Sequence, residues 1–549
     1  MGRILAGLAL LGAAAAGLWV RAGVAPAPIR FAYRPLPFTL ENAETPRRYA
    51  PETMAGGVAA FDYDNDGNLD LYFANGADML SLRKNHPKFR NRLLRGDGKG
   101  GFTDVTERAG VAGSGYDTGV AVGDYDNDGC QDIFLGGVHR NTLYHNNCDG
   151  TFRDVTERAG LARPDNHAAP LWSVGAAWLD GNNDGRLDLF VVNYLLWDAA
   201  SEPLCEYGGK PEYCHPRYYK GSPNSLYLNN GDGTFTDVSS KSGIGKHIGK
   251  GMGVGVADYD RDGLPDVFVA NDTVFNFLFH NRGGGAFEET AFYAGVALPE
   301  HGNFISGMGV DFRDIDNDGW PDIVYVALDN ETFPLFHNTG KGFKEITFAS
   351  GVTQASRRMG GYSPGIFDFD NDGWKDLFVS RGHVQSPNMR GRLPIEQPNS
   401  VFRNLGDGKY EPVAEAGFST RPPLRHRGSA FGDFNHDGRV DVVVTALGAE
   451  AELWINESPG GNHWLDLKLE GTASNRAGIG ATIQVVTRSG AQYNHVTTAV
   501  GYASSSAGPV HFGLGKDEMA DRIDIRWPSG KTQQMKNVKA GQVLKVKEP

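Results

Sequence analysis

Apolar and polar positions follow one block along this chain, and the block is written seven times. It opens on a strand of small residues, as in Gly56–Ala60, Gly119–Gly123, Gly253–Ala257 and Gly307–Val310. A polar loop of pattern D-x-D/N-x-D-G-x-x-D comes next, starting at Asp62, Asp124, Asp180, Asp258, Asp314, Asp368 and Asp433. It runs into a nearly all-apolar segment (Leu189–Val192, Leu377–Ser380, Val442–Thr445), as a strand buried on both faces would. A third strand (Asn141–Asn147, Asn224–Asn230), a Gly-rich turn such as Asn230–Gly233 and a fourth strand (Thr151–Thr156) complete the block. Four strands repeated at loop spacings of 54 to 78 residues predict an all-β chain folded as a seven-bladed β-propeller. Small side chains on one strand of every block suit the crowded axis of such a ring.

The loop carries chemistry. Oxygens at positions 1, 3 and 5, a glycine at 6 for the sharp turn, a carbonyl at 7 and an acid at 9 are what a hard cation needs. An EF-hand keeps its last acid at position 12 between helices; here a strand follows the ninth position, so these are β-hairpin loops. The candidate ligands are Asp62, Asp64, Asp66 and Asp70 in the first loop and Asp124, Asp126, Asp128 and Asp132 in the second. The third offers Asp180, Asn182, Asp184 and Asp188, and the fourth Asp258, Asp260, Asp262 and Asp266. Asp314, Asp316, Asp318 and Asp322 follow in the fifth, then Asp368, Asp370, Asp372 and Asp376 in the sixth. The seventh supplies Asp433, Asn435, Asp437 and Asp441. Up to seven Ca²⁺ are expected, with weaker binding where Asn182 and Asn435 replace an acid.

Charge changes the picture in the same direction. The net charge is −13, and seven divalent ions would bring it to about +1, so much of the acidity reads as ligand charge; the balance argues against nucleic acid as a partner. Arg3 followed by an apolar run from Ile4 to Val20 predicts a signal peptide or N-terminal anchor over residues 1–25, and hence a secreted or periplasmic protein. The only expected membrane contact is through that anchor if it is uncleaved. Export also favours disulfides, with Cys130 to Cys148 and Cys205 to Cys214 as the pairs; four free buried thiols are the alternative. For the first pair, residues summing to about 278 are placed opposite each other in the second block.

The repeats resemble FG-GAP/VCBS repeats, the unit of the integrin α-chain propeller. The segment 462–549 is similar to an ASPIC/UnbV domain through Asn462-His463-Trp464, Asn475–Ala481, Gly501-Tyr502, His511–Gly515 and Trp527–Gly530. Together they resemble the cartilage acidic protein family. The resemblance implies fold and calcium and specifies no reaction. On this reading residues 26–457 form the propeller and 462–549 a small β-sandwich-like domain, with Ser458–Asn462 as linker.

Other motifs yield to plainer explanations. Gly361–Gly365 matches G-x-S-x-G, yet it leads into an inner strand and Pro364 removes an oxyanion-binding N–H. Arg95-Gly96-Asp97 falls where other blocks carry a turn. No Walker loop, H-E-x-x-H or dinucleotide fingerprint occurs. The expected function is therefore an extracytoplasmic binding, adhesion or scaffold module; a propeller lyase or hydrolase with a site opposite the calcium loops is the alternative. The connections on that opposite face are rich in Lys and Arg, so an anionic glycan or acidic protein is the expected partner, met by Arg392, Arg425 and Arg427.

Overall fold

The computed structural model describes residues 29–162 and 171–549; the expected signal or anchor, residues 1–25, lies outside them. Among the described residues no helix is long and apolar enough to cross a membrane. Seven four-stranded antiparallel sheets follow one another along the chain, each paired in the order of its strands. Their inner strands are Val58–Phe61, Asp117–Gly123, Leu171–Leu179, Gly251–Ala257, Val310–Arg313, Gly361–Phe367 and His426–Gly432. Each inner strand packs against the next, and the seventh packs back on the first, so the sheets close into a ring. Apolar cores lie between neighbouring sheets, as where Phe190 and Val192 of the third meet Val254, Val256 and Phe279 of the fourth.

The small residues of the inner strands answer to crowding at the axis. A Cβ on Gly119 would sit 2.0 Å from the Val174 carbonyl oxygen, and one on Gly309 would sit 2.5 Å from that of Tyr362. The seventh sheet takes its fourth strand from the N-terminal side: Phe31–Thr39 pairs antiparallel with Glu450–Asn456, from Phe31 opposite Asn456 to Pro35 opposite Glu452.

After the ring, two further sheets face each other. One orders Val510–Gly515, His463–Glu470 and Gln542–Lys547; the other orders Gly490–His495, Thr482–Thr487, Met519–Arg526 and Thr532–Lys539. Leu465, Leu467 and Phe512 from the first share a core with Ile483, Val485, Ile523 and Ile525 from the second. This unit is not a free appendage. Its segment Ala499–Ser506 enters the ring along the axis as a hairpin. Ser505 and Ser506 pair in parallel with Ala59 and Ala60 of the first sheet. The Val120 N–H donates to the Ala503 carbonyl, and Val310 and Gly501 exchange both backbone hydrogen bonds at 2.7 and 3.0 Å. Ser363 Oγ accepts from Tyr502 N–H, and Ser506 Oγ from Phe431 N–H. The hairpin also packs on the third and fourth inner strands, so it touches all seven sheets.

Both disulfides are present, Cys130–Cys148 and Cys205–Cys214. The register that suggested the first is corrected by one residue: Ile133 faces Tyr144 and Phe134 faces Leu143. The two cysteines lie just beyond the ends of the paired strands, where the loop rather than the ladder brings them together. Gly361–Phe367 is an inner strand with no nucleophile elbow; Arg95 and Gly96 end a strand and Asp97 turns back through its N–H to the Gly101 carbonyl.

Candidate metal centres on the acidic rim

All seven acidic loops share one construction. Position 4 is left-handed in each, at Asn65, Asn127, Asn183, Arg261, Asn317, Asn371 and His436, and position 6 is a glycine with φ between +80° and +98°. Only glycine takes that second conformation cheaply, which explains its fixed place. The position-1 carboxylate accepts the position-6 N–H, at 2.7 Å for Gly319 on Asp314 and Gly438 on Asp433. Position 9 is fully buried in every loop. One of its oxygens accepts the position-2 N–H and the other a third-strand N–H, as Asp322 does from Ile315 (2.9 Å) and Asn338 (2.7 Å). The ninth acid is thus a clasp between loop and third strand before it is anything else.

Two side-chain belts join loop to loop around the ring. A third-strand Asn donates to the position-2 carbonyl of the preceding sheet: Asn146 to Tyr63, Asn229 to Tyr125, Asn281 to Gly181, Asn338 to Tyr259, Asn404 to Ile315 and Asn456 to Phe369. The position-4 side chain donates to the position-6 carbonyl of the next loop, as Asn65 does to Gly129, Asn127 to Gly185, Asn317 to Gly373 and Asn371 to Gly438. His436 reaches Asn68 at 2.9 Å and links the seventh loop to the first. These belts went unseen in the sequence reading, although the third-strand Asn recurs in six of the seven blocks.

In the first loop the structure brings three acids together: oxygens of Asp62, Asp64 and Asp66 lie within 4.8 Å of one another. In the second, fourth and fifth loops two acids and a histidine come as close, as Asp126, Asp128 and His145, Asp260, Asp266 and His280, and Asp316, Asp322 and His337. Burial lifts Asp70 to about 8, Asp124, Asp132, Asp188, Asp266 and Asp322 to about 7, and Asp180 and Asp258 to about 6. Asp62 Oδ1, Asp64 Oδ1, Asp258 Oδ1 and Asp370 Oδ1 are buried with no hydrogen-bond partner among the described residues. Such oxygens are the groups that would hold a cation.

The loops differ at one third-strand position. His145, His280 and His337 occupy it in the second, fourth and fifth sheets, with Nδ1 3.1–3.6 Å from the position-3 and position-9 carboxylates. The hydrogen bond to Asp322 raises His337 to about 9. In the first and sixth sheets an arginine stands there instead. Arg95 pairs with Asp64 and Asp66 at 2.6 Å each, and Arg403 pairs with Asp370 at 2.8 Å and with Asp372. In the third and seventh sheets, where Asn fills position 3, position 7 is arginine: Arg186 pairs with Asp184 and Arg439 with Asp437, both at 2.5 Å.

The opposite face departs from expectation. Arg427 is fully buried; its guanidinium lies 3.8 Å over the Tyr362 ring and donates to the carbonyls of Thr53, His426 and His383. Arg425 is nearly buried and pairs with Glu44 at 2.8 Å. Neither can meet a partner, because the N-terminal segment 42–54 crosses the mouth of the ring above them. Tyr116 donates to the Asn42 and Pro51 carbonyls, and Tyr502, at the tip of the axial hairpin, to that of Met54. In the long connection 194–223 of the third sheet, Trp197 and Tyr213 are buried as well: Trp197 Nε1 donates to Glu202, and the Tyr213 hydroxyl to Glu52, which burial lifts to about 7. Arg392 remains exposed, over the ring of Tyr207.

The family described as FG-GAP-like repeat matches residues 62–135, 124–191, 218–269, 258–325, 314–379 and 390–444, and ASPIC and UnbV matches 471–549. Cartilage acidic protein 1 of Homo sapiens is 26% identical over 521 residues, covering 91% of this chain and 72% of that protein. The Mus musculus protein is 26% identical over 501 residues, covering 88% and 71%. Among solved structures, an Agrocybe aegerita lectin described as recognising non-reducing terminal N-acetylglucosamine aligns with TM-score 0.39 at 16% identity, over 72% of this chain and 87% of the lectin. YCF48 bound to D1 peptide aligns with TM-score 0.42 at 8% identity, over 79% and 99%.

Proposed function

The chain belongs to the FG-GAP-like repeat family, and on that premise we propose that it is an exported, calcium-stabilised binding or scaffold protein. The observation that carries the reading is the set of buried carboxylate oxygens without protein partners on the acidic rim, clustered as the ligands of a hard cation would be. Ca²⁺ supplies charge compensation there and the chain supplies a preformed oxygen cage. The two disulfides and relatives named for cartilage support export. Ca²⁺ in excess is expected to raise the melting temperature and EDTA to lower it; equal values would remove the reading.

The partner surface proposed is formed by two long connections on the face away from the acidic rim, 194–223 of the third sheet and 381–398 of the sixth. Lys210, Arg217, Lys220 and Arg392 are exposed there. Arg217 and Arg392 lie over the exposed rings of Tyr218 and Tyr207, at 5.1 and 4.8 Å. Cations backed by aromatic rings suit an anionic glycan or an acidic protein. Charge reversal at Lys210 and Arg217 is expected to abolish retention on an array of acidic glycans and acidic proteins at low salt. Unchanged retention would rule the surface out.

A further inference from the structure

A cleft of about 550 Å³ opens between the acidic rim of the fourth and fifth sheets and the domain that follows the ring. Its far wall is one face of the sheet containing Thr482–Thr487. The apolar side of that sheet turns to its own core through Ile483, Val485, Ile523 and Ile525. The other side carries a cross-strand row of Tyr493, Gln484, Asp524 and Gln534, each facing the next. Thr482, Arg526 and Thr532 form a second row beside it. The second row docks on the ring, through Arg526 to the Arg261 carbonyl and through His495, opposite Thr482, to the Val256 carbonyl, which leaves the first row as the part that docking does not use.

The charges in the cleft are already compensated. Arg261 lies 3.8 Å over Trp320 and donates to the carbonyls of Asp318 and Gly319. Arg526 donates to the Arg261 carbonyl and stands 4.0 Å from Asp258. Asp524 accepts from Arg522 and from Gln534. What the wall presents is therefore amide and hydroxyl groups that both donate and accept, beside the half-buried Tyr493 ring, whose hydroxyl accepts from Gln484. The lining sets two arginines, Arg261 and Arg526, against the three acids Asp258, Asp314 and Asp524, so no surplus positive charge is left to draw an anion.

We propose that this cleft binds a short neutral oligosaccharide, its hydroxyls meeting the amide row and one ring face lying on Tyr493. The volume is that of an ordinary ligand site, and the proposal stands apart from the acidic partner on the opposite face. The test is calorimetric titration of the full chain in Ca²⁺ with chitotriose, maltotriose and cellotriose, and with a heparin hexasaccharide as the anionic counterpart. At least one neutral trisaccharide is expected to bind, and Tyr493→Ala to weaken it by roughly tenfold or more at an unchanged melting temperature. Gln534→Ala, on an exposed residue, is expected to weaken the same sugar. Binding of none of the three, binding of the heparin fragment alone, or binding untouched by both substitutions would overturn the proposal.

Discussion

Asn338 shows what one residue does for this fold. Its N–H closes on Asp322, and its side-chain amide donates to the Tyr259 carbonyl of the preceding sheet (2.8 Å) and to Pro321 (3.1 Å). It is almost fully buried, so water cannot replace those bonds. Asn338→Ala therefore leaves two half-buried carbonyls without their partner, at about 1 kcal/mol for each. The expected outcome is a urea midpoint lowered accordingly with an unchanged m-value; an unaltered midpoint would show that the inter-sheet belt holds nothing. The acids were legible in the sequence because their spacing matches a chemical need. The Asn was not read, because its spacing from the loop varies with the insertion between second and third strands, from Asp132–Asn146 to Asp188–Asn229. Arg425 and Arg427 were misread for a different reason: formal charge says nothing of what crosses above a residue.

At the scale of the loop, burial and ligand chemistry oppose each other. Without metal, the raised carboxyl groups make the folded chain bind more protons than the unfolded chain, in which an Asp titrates near 3.8. His337, raised to about 9, acts in the same direction, since its extra proton is lost only above the unfolded value. Metal-free stability thus falls as pH rises from about 4 to about 8, with the proton count setting the slope. Bound Ca²⁺ needs the same carboxylates ionised, so its contribution grows over that range. Melting temperature is expected to fall between pH 5 and pH 8 in EDTA, and to fall less or rise in Ca²⁺. Parallel lines in the two buffers would contradict the account. The loops should not respond alike: Arg95 and Arg403 already place a cation against the first and sixth, and Arg186 and Arg439 against the third and seventh. The weakening expected from Asn182 and Asn435 thus coincides with a local arginine, which the pattern of acids alone did not reveal.

Across the whole molecule, the axial hairpin makes one object of two regions that the sequence separates by a Pro-Gly-Gly stretch. The signal for it was present but unspecific. Ala499–Ala507 is small-residue apart from Val500 and Tyr502, which fits a narrow channel, yet nothing along the chain says which channel. The closing strand Phe31–Thr39 leaves a plainer trace in the sequence, because the seventh block lacks a fourth strand and a β-type segment precedes the first. The hairpin replaces water along the axis, and its hydroxyls satisfy the inner strands: Ser504 accepts from Val58 N–H, Ser505 from Val122 and Ser506 from Phe431. Tyr502 reaches the far mouth, packs edge-on against Tyr362 and donates to Met54 at 2.7 Å. The ring and the following domain should therefore melt in a single calorimetric transition whose van't Hoff and calorimetric enthalpies agree. Tyr502→Ala empties a fully buried site, at about 3–5 kcal/mol by analogy with other aromatic truncations. It also removes the anchor on the far side, so the expected scan shows a lower first melting and a second, separate transition. Two transitions in the unaltered chain would mean that the hairpin fills the axis without coupling the two parts.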